Sequence, residues 1–392
     1  MVRSSSRAPH GSRLVLLALS VLLLVPGLLA FTPLLADASE PHAAASARRT
    51  PADANPLAGR PWGVYRGNTE MAWAPYTAST GTDRDLLARI ALRPKAKWFG
   101  AWIPDDQIAG KVQEYIANTL SSTGGDPETL VQMTFFRMVP WEHEACSRKP
   151  TAAEKASYLT WIANAAGAIG STHTMIVMQP DGPFALCAPG GSKVYSKLIA
   201  SAVQTLSALP NTSVYIGAGA ADWHRKKVEP ALELLVDGGI AAARGFTLNT
   251  THYDSTKQQV KFGARIIAAL EAQGISGKHL VVDTASNGRS FTGVQWRRAG
   301  SPGGRFDNAA PCASADQTRC VTLGIPPTWQ VDDPQWGLPD KVRQLAATYV
   351  DGFVWAGRPW LTNATAPFDL TRALSVAATS PYAAVPVAPL PD

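Results

Sequence analysis

The chain has no dense run of lysine or arginine, and that absence argues against a nucleic-acid partner. Its formal net charge of +6 is concentrated at one end: residues 1–49 hold five arginines (3, 7, 13, 48 and 49) against Asp37 and Glu40, a net of +3. The remaining residues share only the other +3, so a neutral substrate is expected. A Gly-x-Ser-x-Gly elbow, a phosphate-cradling glycine loop and a His/Glu metal motif are all missing. His143, His224 and His252 stand apart and read as loop polarity rather than ligands. Neither a cofactor nor a metal is therefore expected. Internal repeats and low-complexity tracts are absent from the middle of the chain. Cysteine is scarce. The four present, Cys146, Cys187, Cys312 and Cys320, lack zinc-ligand spacing and fit two disulfides in an exported protein. A Cys146–Cys187 bridge would tie the loops after two successive strands, and Cys312–Cys320 would close one short loop.

Basic residues Arg3, Arg7 and Arg13 precede 23 uncharged residues, Leu14 to Ala36. That length suits a membrane anchor with its basic end in the cytoplasm, whereas small residues at Leu35–Ala38 suit a cleaved signal peptide. Residues 1–36 are expected to be one or the other, and both imply export. Residues 37–57, rich in Ala, Ser, Pro and Arg, read as a flexible linker. Residues 379–392 read as a Pro/Ala-rich tail that does not pack. A single domain of α/β class, residues 58–378, is expected between them.

Within it, short apolar runs alternate with helical stretches. Strands are expected at Trp98–Ile103, Val131–Met138, Thr174–Met178, Val214–Gly217, Phe246–Asn249, Leu280–Asp283 and Phe353–Trp355. Asp105 is placed to cap the helix after the first, and Thr151-Ala152-Ala153-Glu154 is a capping box. Further helices are expected near Ser192–Leu209, Val228–Val236 and Asp254–Gln273. Strands separated by helices indicate a parallel barrel or a doubly wound sheet. Polar residues gather after the strands, where both architectures bind ligands: Glu142, His143, Glu144, Asp181, Asp222, Asn249, Asp283 and Asn287.

Gln179-Pro180-Asp181 is the most telling of these. It follows the apolar run Met175–Met178, so an apolar floor would raise the Asp181 pKa and keep a proton available for a leaving group. Pro180-Asp181-Gly182 is also an ordinary turn sequence, so company is needed. Twelve tryptophans supply it: Trp98, Trp102, Trp141, Trp223, Trp296, Trp329, Trp336, Trp355 and Trp360 sit near strand ends or in loops. Some will cover the core, but as a set they fit a groove that stacks on sugar rings.

The chain resembles glycoside hydrolase family 6, the inverting β-1,4-glucanases and cellobiohydrolases. The resemblance runs in order through Arg93–Phe99, the loop ending at Cys146, Gln179-Pro180-Asp181 with Cys187, and Val214–Gly219 leading to Trp223. It continues through Gly245–Asn249 before Tyr253, Val282–Gly288, Thr292–Trp296, Cys320–Pro327 and Asp351–Trp355. It implies a distorted seven-stranded parallel β/α barrel, with Asp181 as general acid and Glu144 in the role of the aspartate that tunes it. Glu142 is the substitute for Glu144. Trp98, Trp223 and Trp296 match the family's sugar-stacking tryptophans, and Asn249 and Arg358 join the substrate-binding set.

Departures are concentrated near the chemistry. Gln179 stands where the family has Glu, Gly217 where it has Asp, and Ala220 where it has His; Asp222 is the nearest carboxylate. After Trp355 the family carries a Lys, a Glu and the candidate base Asp. Here the sequence is Gly357-Arg358-Pro359-Trp360-Leu361-Thr362-Asn363, in which Arg358 stands for the Lys and nothing stands for the Asp unless Asp369 folds back. The family's partner cysteine there is also missing, which leaves Cys312 for Cys320. Expected, then, is an exported, monomeric β-1,4-glucan hydrolase acting by inversion. The alternatives are a glucan-binding protein on a degenerate scaffold and an accessory to glucan synthesis at the cell surface.

Overall fold

The computed structural model describes residues 54–387; the expected anchor or signal and nearly all of the linker lie outside them. Seven strands form one sheet: β1 Lys97–Gly100, β2 Val131–Phe136, β3 Thr174–Met178, β4 Thr212–Gly217, β5 Gly245–Leu248, β6 His279–Asp283 and β7 Val350–Val354. They follow one another in sequence order across the sheet, each parallel to its neighbour, with Met133 beside Ile176 and Ile176 beside Val214. Among the described residues ten α-helices accompany them: α1 Trp73–Ala78, α2 Gly81–Ala91, α3 Ile108–Ser121, α4 Ala152–Ile169, α5 Val194–Ser207, α6 Glu229–Asp237, α7 Thr256–Glu271, α8 Gly293–Arg298, α9 Asp340–Tyr349 and α10 Leu370–Ala378. The sheet curls, so the barrel is the α/β alternative that holds.

Alternation along the strands builds two cores. Ile176, Met178, Val214, Ile216, Leu280 and Val282 pack outward against helix residues such as Ile108, Ile199 and Ile266. Their neighbours Met175, Val177, Tyr215 and Val281 turn the other way and form a smaller cluster with Leu57, Leu130 and Val354 inside the curl. Strands covered on both faces read as continuous apolar runs, which is why β3 is so plain in the sequence. No ladder joins β7 to β1. There the edges meet through one main-chain bond, Ala96 N–H to the Trp355 carbonyl at 2.8 Å, and through the Trp98 indole N–H to the Ala356 carbonyl at 2.7 Å.

The capping box forms: Thr151 Oγ1 accepts from Glu154 N at 3.1 Å, and Glu154 Oε2 accepts from Thr151 N at 2.7 Å. Cys146–Cys187 and Cys312–Cys320 are both bonded. The first strand ends earlier than expected, at Gly100, and Asp105 caps nothing. Its carboxylate instead accepts from Arg137 at 2.9 Å and Ser157 at 2.7 Å; a guanidinium competes well for a carboxylate that could otherwise bind backbone N–H groups. The folded body also runs slightly past the expected boundaries. Leu57 is fully buried, and in the supposed tail Tyr382 packs on Trp336 while Ser380 donates to the Leu323 carbonyl at 2.8 Å.

Candidate functional site

Beyond Met178 the chain turns sharply, with Gln179 and Asp181 both left-handed at φ 52° and 62°. Such conformations cost on the order of 1–3 kcal/mol in a non-glycine residue, so the surroundings must hold them. They do: the Trp141 indole N–H donates to the Pro180 carbonyl at 3.0 Å, and Gln179 Oε1 accepts from Met138 N at 3.2 Å. On the far side the turn rests on bare backbone. A Cβ at Gly217 would lie 2.4 Å from the Gln179 carbonyl oxygen, and one at Gly182 would lie 1.7 Å from the Gly217 carbonyl oxygen. No side chain fits at 217, which is the physical reason for the glycine there.

The turn aims Asp181 into a cavity of about 130 Å³ whose wall also includes Glu142, Thr251, Tyr253, Asp307 and Arg358. Burial pushes the Asp181 carboxyl up from 3.8 to about 7. Thr251 opposes this by donating to Oδ1 at 2.6 Å, the nearby negative charges of Glu142 and Asp307 support it, and His252 opposes it. Glu142 is itself raised, first by burial and then by Asp307. Three carboxyl groups thus share one mouth, with the proton held most firmly at the turn.

The other expected residues fall in different places. Glu144, two residues along a short 3₁₀ segment from Glu142, is exposed and pairs with Arg148 at 2.8 Å; it is not part of the cavity wall. Asn249 is buried, donating to the Asp254 and Asp283 carbonyls at 3.1 Å each. It fixes the segment that carries Thr250 and Thr251 into the cavity. Trp223 stacks on His252 with ring centroids 5.1 Å apart, and Trp296 packs edge-on against Phe306; neither lines the cavity. Asp222 contacts His252 Nδ1 at 2.9 Å and accepts from Gly293 N. Asp369 caps α10 through Arg372 N and does not fold back.

Trp98 and Arg358 do line the site, but together. The Arg358 guanidinium lies 4.5 Å above the Trp98 ring centroid, a cation–π contact that covers an indole face. Trp102 is the open aromatic surface: it is 60 % exposed, and its ring lies over Gly100, where a Cβ would come within 2.2 Å of it. Next to the acid's cavity is a larger one of about 690 Å³, drawn chiefly from residues 68–71, 95–99, 355–358 and 360–361. Trp98, Trp102, Gly357, Arg358 and Thr365 belong to both walls. Asp283 holds this seam in place, accepting from Ala285, Ala356 and Gly357 N at 2.8, 2.9 and 2.5 Å. Sequence reasoning did not single out Thr251 or Asp307; neither lies beside a motif. Among the described residues no cluster of metal-ligating side chains occurs.

Comparison with known proteins gives one family, described as "Glycosyl hydrolases family 6", matching residues 63–336. Endoglucanase A of Cellulomonas fimi is 28% identical over 65% of this chain, and the match spans only 52% of that protein. Endoglucanase 1 of Streptomyces halstedii is 28% identical over 59% of this chain and 71% of its own length. Among solved structures, the endoglucanase Cel6 of Mycobacterium tuberculosis, in complex with methyl-cellobiosyl-4-deoxy-4-thio-β-D-cellobioside, superposes with a TM-score of 0.62. It is 23% identical and covers 82% of this chain and 98% of its own, a likeness of fold.

Proposed function

The chain belongs to the glycosyl hydrolases of family 6, and from that membership we propose that it hydrolyses a β-1,4-linked glucan with inversion, Asp181 serving as general acid. The observation that carries the reading is the Asp181 carboxyl, held near a pKa of 7 at the end of β3 and facing a cavity. A group in that range is protonated often enough at neutral pH to donate and acidic enough to let go. In the step, the bond from the anomeric carbon to the glycosidic oxygen breaks as the Asp181 proton passes to that oxygen. Water adds to the opposite face and loses its proton to a second carboxylate. Glu142 takes the tuning role, because its charge adds to burial in favouring protonation of Asp181. Asp307, on the β6–β7 connection in the same cavity wall, is the base. Two disulfides support an exported protein, acting as a monomer on a polysaccharide outside the cytoplasm or at the cell surface.

The test is release of reducing ends from hydroxyethyl cellulose by wild type and Asp181→Ala, with the product anomer followed by NMR. Turnover in wild type, its loss in the variant and an initial α-anomer are expected; equal, negligible release from both would remove the catalytic reading. A second reading, glucan binding without turnover, is favoured by one observation: Arg358 already occupies a face of the Trp98 indole, on a segment lacking the family's aspartate. It predicts glucan affinity with no reducing ends released.

A further inference from the structure

Arg358 is a cation without an anion. Its Nε is buried and unbonded, and among the described residues no carboxylate lies within ion-pair distance of its guanidinium. Burial lowers its pKa to about 10, opposed only by the charge of Glu70. Yet Glu70 is engaged elsewhere, 4.0 Å from Lys95 Nζ and bonded to Ala72 N. The other acid of the larger cavity, Glu114, accepts from the Tyr65 hydroxyl at 2.8 Å. Lys95 donates to the Ile90, Ala91 and Arg93 carbonyls, and Lys97 to Thr69. The hydrogen bonds of both lysines therefore go to neutral oxygens, with Glu70 the nearest carboxylate to Lys95. The large cavity carries Lys95, Lys97, Lys111 and Arg358 against Glu70 and Glu114; the smaller one carries Glu142, Asp181 and Asp307 against Arg358. With Asp181 protonated, the smaller cavity sets Glu142 and Asp307 against Arg358, the larger one holds an excess of basic side chains, and Arg358 stands at their junction.

The Arg358 guanidinium, 4.5 Å above the Trp98 ring centroid, carries its N–H donors as a planar fork that matches a planar two-oxygen acceptor. A sugar hydroxyl would satisfy one donor and none of the charge; a carboxylate would satisfy both. We infer that the large cavity binds an acidic sugar, so that the substrate is a β-linked glycan bearing carboxylates, with Arg358 pairing with a uronate next to the unit cleaved. This inference rests on the hydrolase reading and adds to its β-1,4-linked backbone a preference for units bearing carboxylates, against the neutral substrate that overall charge suggests.

The test measures binding apart from turnover. Calorimetry on full-length Asp181→Asn compares cellotetraose with a β-1,4-linked tetrasaccharide of glucuronic acid. The acidic oligomer should bind about tenfold or more tightly. Raising sodium chloride from about 0.02 to about 0.5 M should weaken the acidic oligomer alone. Arg358→Gln should remove the preference and Arg358→Lys should keep part of it. Equal affinity for the two oligomers, equal loss for both in Arg358→Gln, or binding of neither overturns the inference. The preference and its salt dependence need no variant at position 358, so misfolding there does not shelter it. Absence of reducing ends from wild type with either oligomer would instead count against the hydrolase reading, leaving the binding result to stand by itself.

Discussion

Asp181→Asn should make the protein more stable at alkaline pH while abolishing the proposed chemistry. The folded carboxyl titrates near 7 instead of 3.8, a difference of about 3 units, or about 4 kcal/mol between its two protonation states. Because the raised pKa means that the folded state binds this proton more tightly, stability falls as pH rises from about 4 to about 7 and levels off above. Asparagine keeps the shape and cannot ionise, so the penalty disappears. Solvent at the cavity mouth trims it, and a gain of about 2 kcal/mol at pH 8 is expected, shrinking toward zero near pH 4. Urea unfolding of wild type and variant at the two pH values measures the difference directly. Asp254 and Asp283, raised by burial to about 6 and about 7, act equally on both proteins and cancel. A variant less stable than wild type at pH 8, or a difference indifferent to pH, would refute the claim that folding holds this carboxyl neutral.

Three further outcomes are expected. Thr251→Val removes the hydroxyl donated to Asp181 and should raise that pKa by about one unit, whereas Glu142→Gln removes a like charge and should lower it; carboxyl ¹³C shifts read both, and shifts of the same sign would contradict the account. Trp102→Ala should weaken oligosaccharide binding by about 1 kcal/mol, with Trp223→Ala nearly silent in the same titration, since Trp223 lies off both cavities. Replacing Cys146 and Cys187 by serine opens a 41-residue loop and should cost about 4 kcal/mol, against about 2.5 for the 8-residue Cys312–Cys320 loop, in denaturant unfolding.

The parts legible in the sequence are those governed by local chemistry. β3 matches its expected bounds because its residues are buried on both faces, and α4 is announced by reciprocal Thr151 and Glu154 bonds. What the sequence hides depends on partners far away along the chain. Asp105 meets Arg137 and Ser157 rather than a helix start. Trp98 looks like an open platform until Arg358, 260 positions later in the numbering, lies across it. Glu142 and Glu144 are neighbours in sequence, yet the tight turn between them points one into the cavity and the other to Arg148. Asp307 has no motif around it; only the path of the β6–β7 connection carries it to Asp181.

Six of the strand boundaries are laced along their length, while that between β7 and β1 is fastened by little more than the Ala96–Trp355 bond and one indole. The larger cavity straddles this slit, with residues 95–99 on one lip and residues 355–358 and 360–361 on the other. A saccharide lying there would touch both lips and act as a suture. Occupancy should therefore slow hydrogen exchange at the amides of both lips together, from one end of the chain to the other.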